Sequence, residues 1–308
     1  MKLRLGTRGS ALALAQAEMT EAALAKACPE VEVERVVIRT TGDRRTDVAL
    51  KDVAATEAIV DKGVFIKELE IALEQGEIDF AVHSLKDVPT VLEDQFALVS
   101  FLPRAATEDV LVTKVPGGLD TLAPGSVVGT SSVRRARQLQ YLRPAIEIAD
   151  IRGNVPTRLM KLASEGTYDA IMLARAGLDR LDYDCGMGFT IDGVQLYVHT
   201  IEKKIFYPAA GQGAVAMEVR SGDQETASIL EKVNHFQTEQ RVRAEREFLR
   251  LLDAGCHTPV GVWSELEGGH MTLAGRVFSE AEDSPPTHAL VDGGDPLQLG
   301  RELFESLK

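Results

Sequence analysis

Residues 127–142 read VVGTSSVRRARQLQYL, and this stretch decides the fold. The apolar run Val127–Gly129 ends in small and hydroxyl side chains, and residues with the apolar spacing of a helix follow at once. A strand that passes directly into a helix is the unit from which α/β sheets are built. The pattern therefore predicts a strand at Val127–Gly129 and a helix at Ser132–Leu142, joined by a turn at the carboxyl end of the strand.

The same alternation extends in both directions from this unit. The further predicted strands are Lys2–Gly6, Val31–Thr40, Asp79–His83, Ala97–Leu102, Val110–Thr113, Ile146–Asp150, Asp169–Leu173 and Ala214–Val219. The further predicted helices are Ser10–Lys26, Val64–Gln75, Pro156–Ser164 and Gln224–Asn234. This order predicts α/β layers with mostly parallel sheets, in which ligands bind at the loops that leave the carboxyl ends of the strands.

The C-terminal part of the chain follows another pattern. An amphipathic helix from about Thr238 to Asp253 stops at Gly255, short strands follow, and a helix near Leu297–Leu307 closes the chain. We predict a small α+β domain here. Two earlier stretches lack clear periodicity: residues 41–62, which we interpret as a lid loop, and Asp182–Gly193, which we interpret as an irregular connection.

Charge is unevenly distributed along the 308 residues. The formal net charge is −13, which argues against general attraction to nucleic acid or to an anionic membrane. Between Thr130 and Arg180, however, eight arginines and one lysine face five acids. An arginine-rich segment in an acidic protein suggests a confined anion site, although composition alone slightly favours the alternative of salt-bridged helix faces. No apolar run is long enough to span a bilayer.

The cysteines and the N-terminus favour a mature cytoplasmic protein. Cys28, Cys185 and Cys256 form neither a disulfide framework nor a metal-ligand spacing, so we expect a reducing compartment and no metal site. Residues 1–17 superficially resemble a signal peptide. The alternation over Lys2–Leu5 instead predicts a strand, and Ser10 is a typical N-cap for the helix that follows.

Three successive strand exits carry arginine. Arg134 and Arg135 follow the turn Thr130–Ser132, Arg152 and Arg158 flank the helix start near Pro156, and Arg180 follows a further strand. Arginine suits planar, bidentate recognition of carboxylates, and free N–H groups at a helix start also favour anions. The alternative is a set of ordinary capped helices with exposed arginines.

Two loops contain candidates for chemistry. In His83–Pro89, an apolar strand leads into Ser84, Lys86 and Asp87, and an ionised carboxylate there could stabilise a cation or move a proton. His83 itself is better explained as a core residue. Cys256 lies in the loop after the long helix, although a lone cysteine is usually structural. The glycines of Pro208–Ala214 precede a strand, which favours a backbone crossing over phosphate binding.

Taken together, these segments resemble the hydroxymethylbilane synthases, in order and over nearly the whole chain. The matching stretches are Gly6–Ala13, Lys62–Glu70, His83–Pro89, Gly129–Arg135, Arg152–Leu159, Ala176–Leu181, Pro208–Ala214 and Gly255–Gly261. The resemblance implies two lobes like those of type II periplasmic solute-binding proteins and a C-terminal α+β domain. The implied domains are 1–103 with 214–235, then 104–213, then 236–308, with crossings near Pro103–Asp109 and Pro208–Gly213.

The resemblance also implies the chemistry. Cys256 would hold a dipyrromethane cofactor through a thioether, four porphobilinogen molecules would add with loss of ammonia, and water would release the linear tetrapyrrole. Asp87 would be the catalytic residue of a cytoplasmic monomer. The implied binding residues are Arg8, Ser10, Phe65, Ser84, Lys86, Thr130, Ser131, Ser132, Arg134, Arg135, Arg152, Gly153, Arg158, Arg180 and Gln212.

Two other functions use the same pattern. A non-catalytic protein that grips a polycarboxylate between two lobes needs the arginines but neither Asp87 nor Cys256. An effector-sensing domain of a regulator is disfavoured because no DNA-binding helix pair precedes the first strand.

Overall fold

The computed structural model describes residues 1–38, 66–253, 258–279 and 284–308. In these ranges the strands are β1 (Lys2–Arg8), β2 (Glu32–Ile38), β3 (Phe80–Ser84), β4 (Phe96–Phe101), β5 (Asp109–Thr113), β6 (Val127–Gly129), β7 (Glu147–Ala149), β8 (Ala170–Ala174), β9 (Phe189–Ile191), β10 (Val194–Thr200), β11 (Val215–Arg220), β12 (Val260–Glu267), β13 (His270–Val277) and β14 (Thr287–Gly293). The α-helices are α1 (Ala11–Ala27), α2 (Lys67–Glu74), α3 (Val133–Leu142), α4 (Val155–Ser164), α5 (Arg175–Asp179), α6 (Gln224–Leu230), α7 (Phe236–Leu251) and α8 (Pro296–Glu305). The predicted lid at 41–62 lies outside the described residues.

The first lobe contains a five-stranded sheet in the order β2-β1-β3-β11-β4. β1 is parallel to β2 and β3, whereas β11 is antiparallel to β3 and β4. α1 begins where the sequence predicts, because the Ser10 side chain accepts a hydrogen bond from the backbone N–H of Ala13. Apolar side chains of α1 and the sheet, including Leu24, Phe80 and Met217, form the core of this lobe.

The second lobe contains a six-stranded sheet in the order β7-β6-β8-β5-β10-β9. β6 is parallel to β7 and β8, and the remaining pairs are antiparallel. The prediction of mostly parallel sheets is therefore wrong, since only two of the four strand pairs in the first sheet and two of the five in the second are parallel. The physical reason lies in the chain path: β5 and β11, the strands that follow the two passages between lobes, enter their sheets in the opposite direction.

The prediction of an irregular connection at Asp182–Gly193 is also wrong in its last part. Residues Phe189–Ile191 form β9, which pairs with β10 across a two-residue turn. Asp192 and Gly193 both have positive φ, 47° and 79°, as a type I′ turn requires. Asp-Gly between two β-rich runs is a recognised hairpin signal, so the sequence did contain the information.

Two crossing segments, residues 102–108 and 201–214, connect the lobes and run side by side. The backbone N–H of Ala105 donates to the carbonyl of Gly213 at 3.0 Å, and that of Leu102 donates to Val215 at 3.1 Å. Gly213 has a φ of 82°, and a Cβ there would lie 2.6 Å from the carbonyl oxygen of Ala105. Only glycine allows the two backbones to approach this closely.

The C-terminal domain has an antiparallel sheet, β12-β13-β14, against which α7 and α8 pack. Phe248, Leu273 and Leu303 are fully buried in the core that this packing forms. The helix predicted from Thr238 begins two residues earlier, at Phe236, and its predicted stop at Gly255 lies outside the described residues. No helix in the described ranges is both long and apolar enough to cross a membrane.

Candidate functional site

A pocket forms around Asp87 at the carboxyl ends of β1 and β3. β3 ends at Ser84, and the following residues, Leu85–Asp87, form a single 3-10 turn. Arg8 and Ser10 come from the neighbouring exit of β1, and they line the same pocket as Ser84 and Asp87. Because β1 and β3 are parallel, their exits lie at one edge of the sheet. The fold thus brings four predicted site residues together.

Gln16 fixes the hydroxyl of Ser84 in this pocket. The Gln16 side-chain amide donates to Ser84 Oγ at 2.7 Å, and Ser84 Oγ donates to Gln16 Oε1 at 3.1 Å. Sequence reasoning missed Gln16, which is buried in α1 and also lines the pocket. The available signal was a single uncharged polar residue in the run of small apolar residues at the start of that helix.

The turn after β6 is held by its own hydroxyl groups. The backbone N–H of Ser132 donates to Thr130 Oγ1 at 3.1 Å, and Ser132 Oγ accepts from the N–H of Arg135 at the start of α3. Ser131 Oγ donates to the carbonyl of Ile151 at 2.6 Å, which ties this turn to the next strand exit. The hydroxyls therefore fix the relative positions of two strand exits.

The exit after β7 carries Arg152, Gly153 and Arg158. Arg152 Nε donates to Asp150 at 2.9 Å, and Arg158 Nε donates to the carbonyl of Gly153 at 2.7 Å. Gly153 has a φ of 109°, a conformation that favours glycine. Burial, the largest influence on Asp150, opposes its ionisation, but the nearby Ser131 hydroxyl and Arg152 guanidinium hold its pKa below the usual range. This carboxylate orients Arg152.

Lys86 and Asp87 of the first lobe face arginines of the second lobe. Burial lowers the pKa of Lys86 to about 8, and the positive charge of Arg135 acts in the same direction. Burial also lowers the pKa of Arg158 to about 10, and the charge of Asp87 opposes this shift. The charged groups at the strand exits of the two lobes therefore act on one another electrostatically. Cations that have lost part of their hydration favour an anionic ligand.

Asp109 at the start of β5 pairs with both Arg134 and Arg135. The distances are 2.7 Å from Arg134 Nη1 to Oδ2 and 2.7 Å from Arg135 Nη2 to Oδ1, and all three residues are buried. Burial opposes ionisation of Asp109, but the two guanidinium groups lower its pKa to about 2. The two arginines therefore join α3 to the start of β5, a contact that sequence reasoning missed because nothing local marks Asp109 as their partner.

Replacing Asp109 by asparagine should lower the free energy of unfolding by about 3 kcal/mol at neutral pH, because two buried arginines lose their carboxylate. Urea unfolding measures this loss. It should shrink as the pH falls from 4 towards 2, since the wild-type carboxyl then becomes protonated and its contribution disappears. Asp120→Asn is the matched control, because Asp120 is fully exposed and its ion pair with Arg143 is 3.5 Å long. Equal losses in the two variants would contradict the interpretation.

Gln212 and Arg180 lie where the second crossing segment meets the second lobe. Gln212 is buried, and its side-chain amide donates to the carbonyl of Thr107 at 2.6 Å and to Asp109 at 3.1 Å. Arg180 Nη2 donates to the carbonyl of Gly213 at 2.7 Å. Arg180 Nε is buried without a hydrogen-bond partner among the described residues, and burial lowers the pKa of Arg180 to about 10. A donor of this kind suits an anionic ligand.

A buried ion pair joins the crossing segments to the C-terminal domain. Arg104 donates from Nη1 and Nη2 to both carboxylate oxygens of Glu245 on α7, at 2.6 and 2.9 Å. Glu245 also accepts from the backbone N–H of Gly211 at 2.8 Å and from the hydroxyl of Ser264. The C-terminal domain is thereby fixed to the connection between the lobes. Sequence reasoning did not anticipate this pair.

Two predicted site residues, Phe65 and Cys256, lie outside the described residues. Of the other thiols, Cys28 is completely buried in the core of the first lobe. Cys185 is half-buried, and burial together with Asp179 raises its pKa to about 11. In the described part of the chain, no group of three histidine, cysteine or acidic side chains could hold a metal ion.

Two family models match the chain. The model described as porphobilinogen deaminase, dipyromethane cofactor binding domain, matches residues 3–228, and the model of the porphobilinogen deaminase C-terminal domain matches residues 239–308. Among curated proteins, the porphobilinogen deaminase of Syntrophobacter fumaroxidans is 41% identical over 312 residues, covering 99% of this chain and 94% of the relative. That of Xanthomonas oryzae is 42% identical over 307 residues, covering 99% and 95%.

Solved structures with similar shape include periplasmic binding proteins. The methionine-binding protein MetQ is 14% identical with a TM-score of 0.44, covering 78% of this chain and 90% of its own. A periplasmic VFT2 domain of BvgS from Bordetella pertussis is 16% identical with a TM-score of 0.43, covering 75% and 86%.

Proposed function

This chain belongs to the porphobilinogen deaminase family, and we propose that Asp87 is its catalytic residue and Cys256 its cofactor attachment residue. The reaction of the family, hydroxymethylbilane synthesis, joins four porphobilinogen molecules, each of which loses ammonia, and water then releases the linear tetrapyrrole. One observation carries the assignment of Asp87: this carboxylate lines a pocket at the strand exits, beside Lys86 of its own lobe, and its charge acts on Arg158 of the second lobe.

The cations of the cleft would bind the substrate carboxylates. Each porphobilinogen unit has an acetate and a propionate group, so a growing chain needs many fixed donors. Lys86, Arg158 and Arg180 support this role because burial lowers the pKa of each, and an anionic partner restores the lost stabilisation of their charge. We assign carboxylate binding also to Arg8, Ser10, Ser84, Thr130, Ser131, Ser132, Arg152 and Gly153.

Arg134, Arg135 and Gln212 contribute in a different way. They are committed to Asp109 and to the crossing segments, so we propose that they set the positive potential of the cleft and its shape more than they grip individual carboxylates. Because their positions are already fixed before a ligand arrives, little reorganisation opposes binding.

Asp87 would act at two atoms of the substrate. At the amino nitrogen it keeps the leaving group protonated, so that the C–N bond breaks and ammonia departs. The cationic pyrrole left behind is stabilised by the adjacent negative charge. After the new C–C bond forms, the hydrogen on the coupled ring carbon leaves as a proton, which the carboxylate accepts. No described residue donates a hydrogen bond to the Asp87 carboxylate, which supports a carboxylate available for proton transfer.

The described residues fit a dipyrromethane cofactor, whose carboxylates suit the partly dehydrated arginines and the unpartnered Nε of Arg180. When bound, this cofactor supplies the pyrrole carbon at which addition starts. Thioether formation needs an accessible thiol that forms thiolate. Burial disfavours Cys28 for this role, and the raised pKa disfavours Cys185. Both observations support Cys256 as the attachment residue.

We further propose the following organisation. The domains comprise residues 1–103 with 214–235, then 104–213, then 236–308. Phe65 contacts the growing chain. The enzyme works as a cytoplasmic monomer without metal, nucleic-acid or membrane partners, and the free thiols of Cys28 and Cys185 among the described residues support a reducing compartment.

The proposed function is tested by incubating the purified protein with porphobilinogen and measuring ammonia and tetrapyrrole together. We expect four ammonia molecules for each hydroxymethylbilane formed. Intact-protein mass before incubation should exceed the sequence mass by two linked pyrrole units, and peptide mapping should place them on the peptide that contains Cys256. A protein that binds porphobilinogen tightly and returns it unchanged would instead be the non-catalytic polycarboxylate binder.

A further inference from the structure

Arg246 of the C-terminal domain holds the backbone that directly follows Asp87. Its Nη1 donates to the carbonyl of Val88 at 3.3 Å, and its Nη2 donates to the carbonyls of Pro89 at 2.6 Å and Thr90 at 3.0 Å. Three consecutive carbonyls of the first lobe thus share one guanidinium group from α7. These contacts connect residues more than 150 positions apart in sequence.

In the turn at residues 88–90, the Val88 N–H donates to the carbonyl of Leu85 at 3.0 Å and the Val88 side chain is buried in the core, whereas the three carbonyls have no backbone donor among the described residues. Pro89 has no N–H of its own, so it cannot anchor the turn from the donor side. Arg246 therefore supplies the side-chain hydrogen bonds to all three carbonyls and restrains the backbone on the C-terminal side of Asp87.

Arg246 is a half-buried arginine that donates its hydrogen bonds to backbone carbonyls and not to a carboxylate. In the described part of the chain it forms no ion pair, and burial lowers its pKa to about 10, opposed by the charge of Glu218. Neighbouring arginines on α7 differ: Arg243 pairs with Glu239, and Arg250 pairs with Glu247. A planar group with five donors can satisfy three adjacent carbonyls, whereas a lysine ammonium at the end of a flexible stem cannot match this geometry.

We propose that Arg246 is a positioning residue, through which α7 of the C-terminal domain sets the orientation of Asp87. This inference rests on the proposed function, since it requires Asp87 to be catalytic. α7 ends at Leu251, five residues before Cys256 in sequence, so the helix that contacts the backbone beside Asp87 directly precedes the residue proposed to hold the cofactor.

The test is a double-mutant cycle on the complete, cofactor-loaded enzyme. Arg246→Gln should lower kcat by about 10- to 100-fold, because a small displacement of a catalytic group has effects of this size, while KM for porphobilinogen changes little. In the Asp87→Asn background the same substitution should lower kcat less than about twofold, since there is no carboxylate left to position. Intact-protein mass confirms that each variant carries the cofactor.

Arg243→Gln is the matched control, because Arg243 lies one turn away on α7 and its side chain is 53% exposed. We expect it to leave kcat unchanged. If Arg246→Gln does not fold, Arg246→Lys takes its place in the same cycle. We then expect a smaller loss of kcat, and we expect it only in the enzyme that retains Asp87. Equal losses in both backgrounds, or no loss in either, would overturn the proposal. Full turnover by Asp87→Asn alone identifies a failure of the proposed function, and the positioning role then fails with it.

Discussion

Replacing Asp87 by asparagine is expected to lower the turnover of porphobilinogen by about 10³-fold, within the range that general acid–base groups contribute. Asparagine keeps the shape of the side chain but can neither exchange a proton with the substrate nor neutralise a cationic pyrrole. Both functions are needed at each of the four additions, so the substitution should slow every addition. Steady-state release of ammonia measures it.

Stability should not change in this variant. Asp87 is partly buried where it lines the pocket, but no described residue donates a hydrogen bond to its carboxylate, so its replacement removes no hydrogen bond that holds the fold. We expect a change below about 0.5 kcal/mol in the free energy of unfolding. Asp94→Asn, in the exposed loop that follows, is the matched control and should retain wild-type turnover. Turnover by Asp87→Asn within about threefold of wild type would remove Asp87 from the role assigned to it.

Local sequence patterns predicted the elements and the positions of the strand exits. A strand such as Val127–Gly129 has too few residues to bury its apolar side chains except in a sheet, and Ser132 satisfies the N–H groups of the helix that follows. Such signals depend on neighbouring residues only. For the same reason Arg8, Ser84 and Arg152 fall at strand ends where they were expected, whatever their function.

Contacts between distant segments could not be predicted in the same way. Arg134 and Arg135 were interpreted as cleft arginines, but the fold places the buried carboxylate of Asp109 against them. Nothing near Asp109 in sequence distinguishes it from an exposed acid. The direction of β5 and β11 was also not predictable from local sequence, because it follows from the crossing segments that precede these strands and not from the strands themselves. The contact of Arg246 with residues 88–90 also joins segments that share no local pattern.

Cys256→Ala should abolish the covalent cofactor completely, and with it the formation of hydroxymethylbilane. Alanine has no nucleophile, so no thioether can form, and intact-protein mass should equal the sequence mass. Cys256→Ser tests the chemistry further: a hydroxyl is a far weaker nucleophile than a thiolate at neutral pH, so we expect no more than traces of adduct.

The two other cysteines provide the controls that make this prediction sharp. Cys185→Ala should keep the cofactor and full activity, because the raised pKa of Cys185 leaves almost no thiolate at neutral pH. Cys28→Ala should keep the cofactor at a stability cost of about 1 kcal/mol, since it removes a buried sulfur from the core of the first lobe. If a control variant loses the adduct and Cys256→Ala retains it, the cysteine replaced in that control is the attachment residue. Loss in Cys256→Ala alone would place the cofactor on Cys256, five residues after the end of α7, the helix whose Arg246 contacts the backbone beside Asp87.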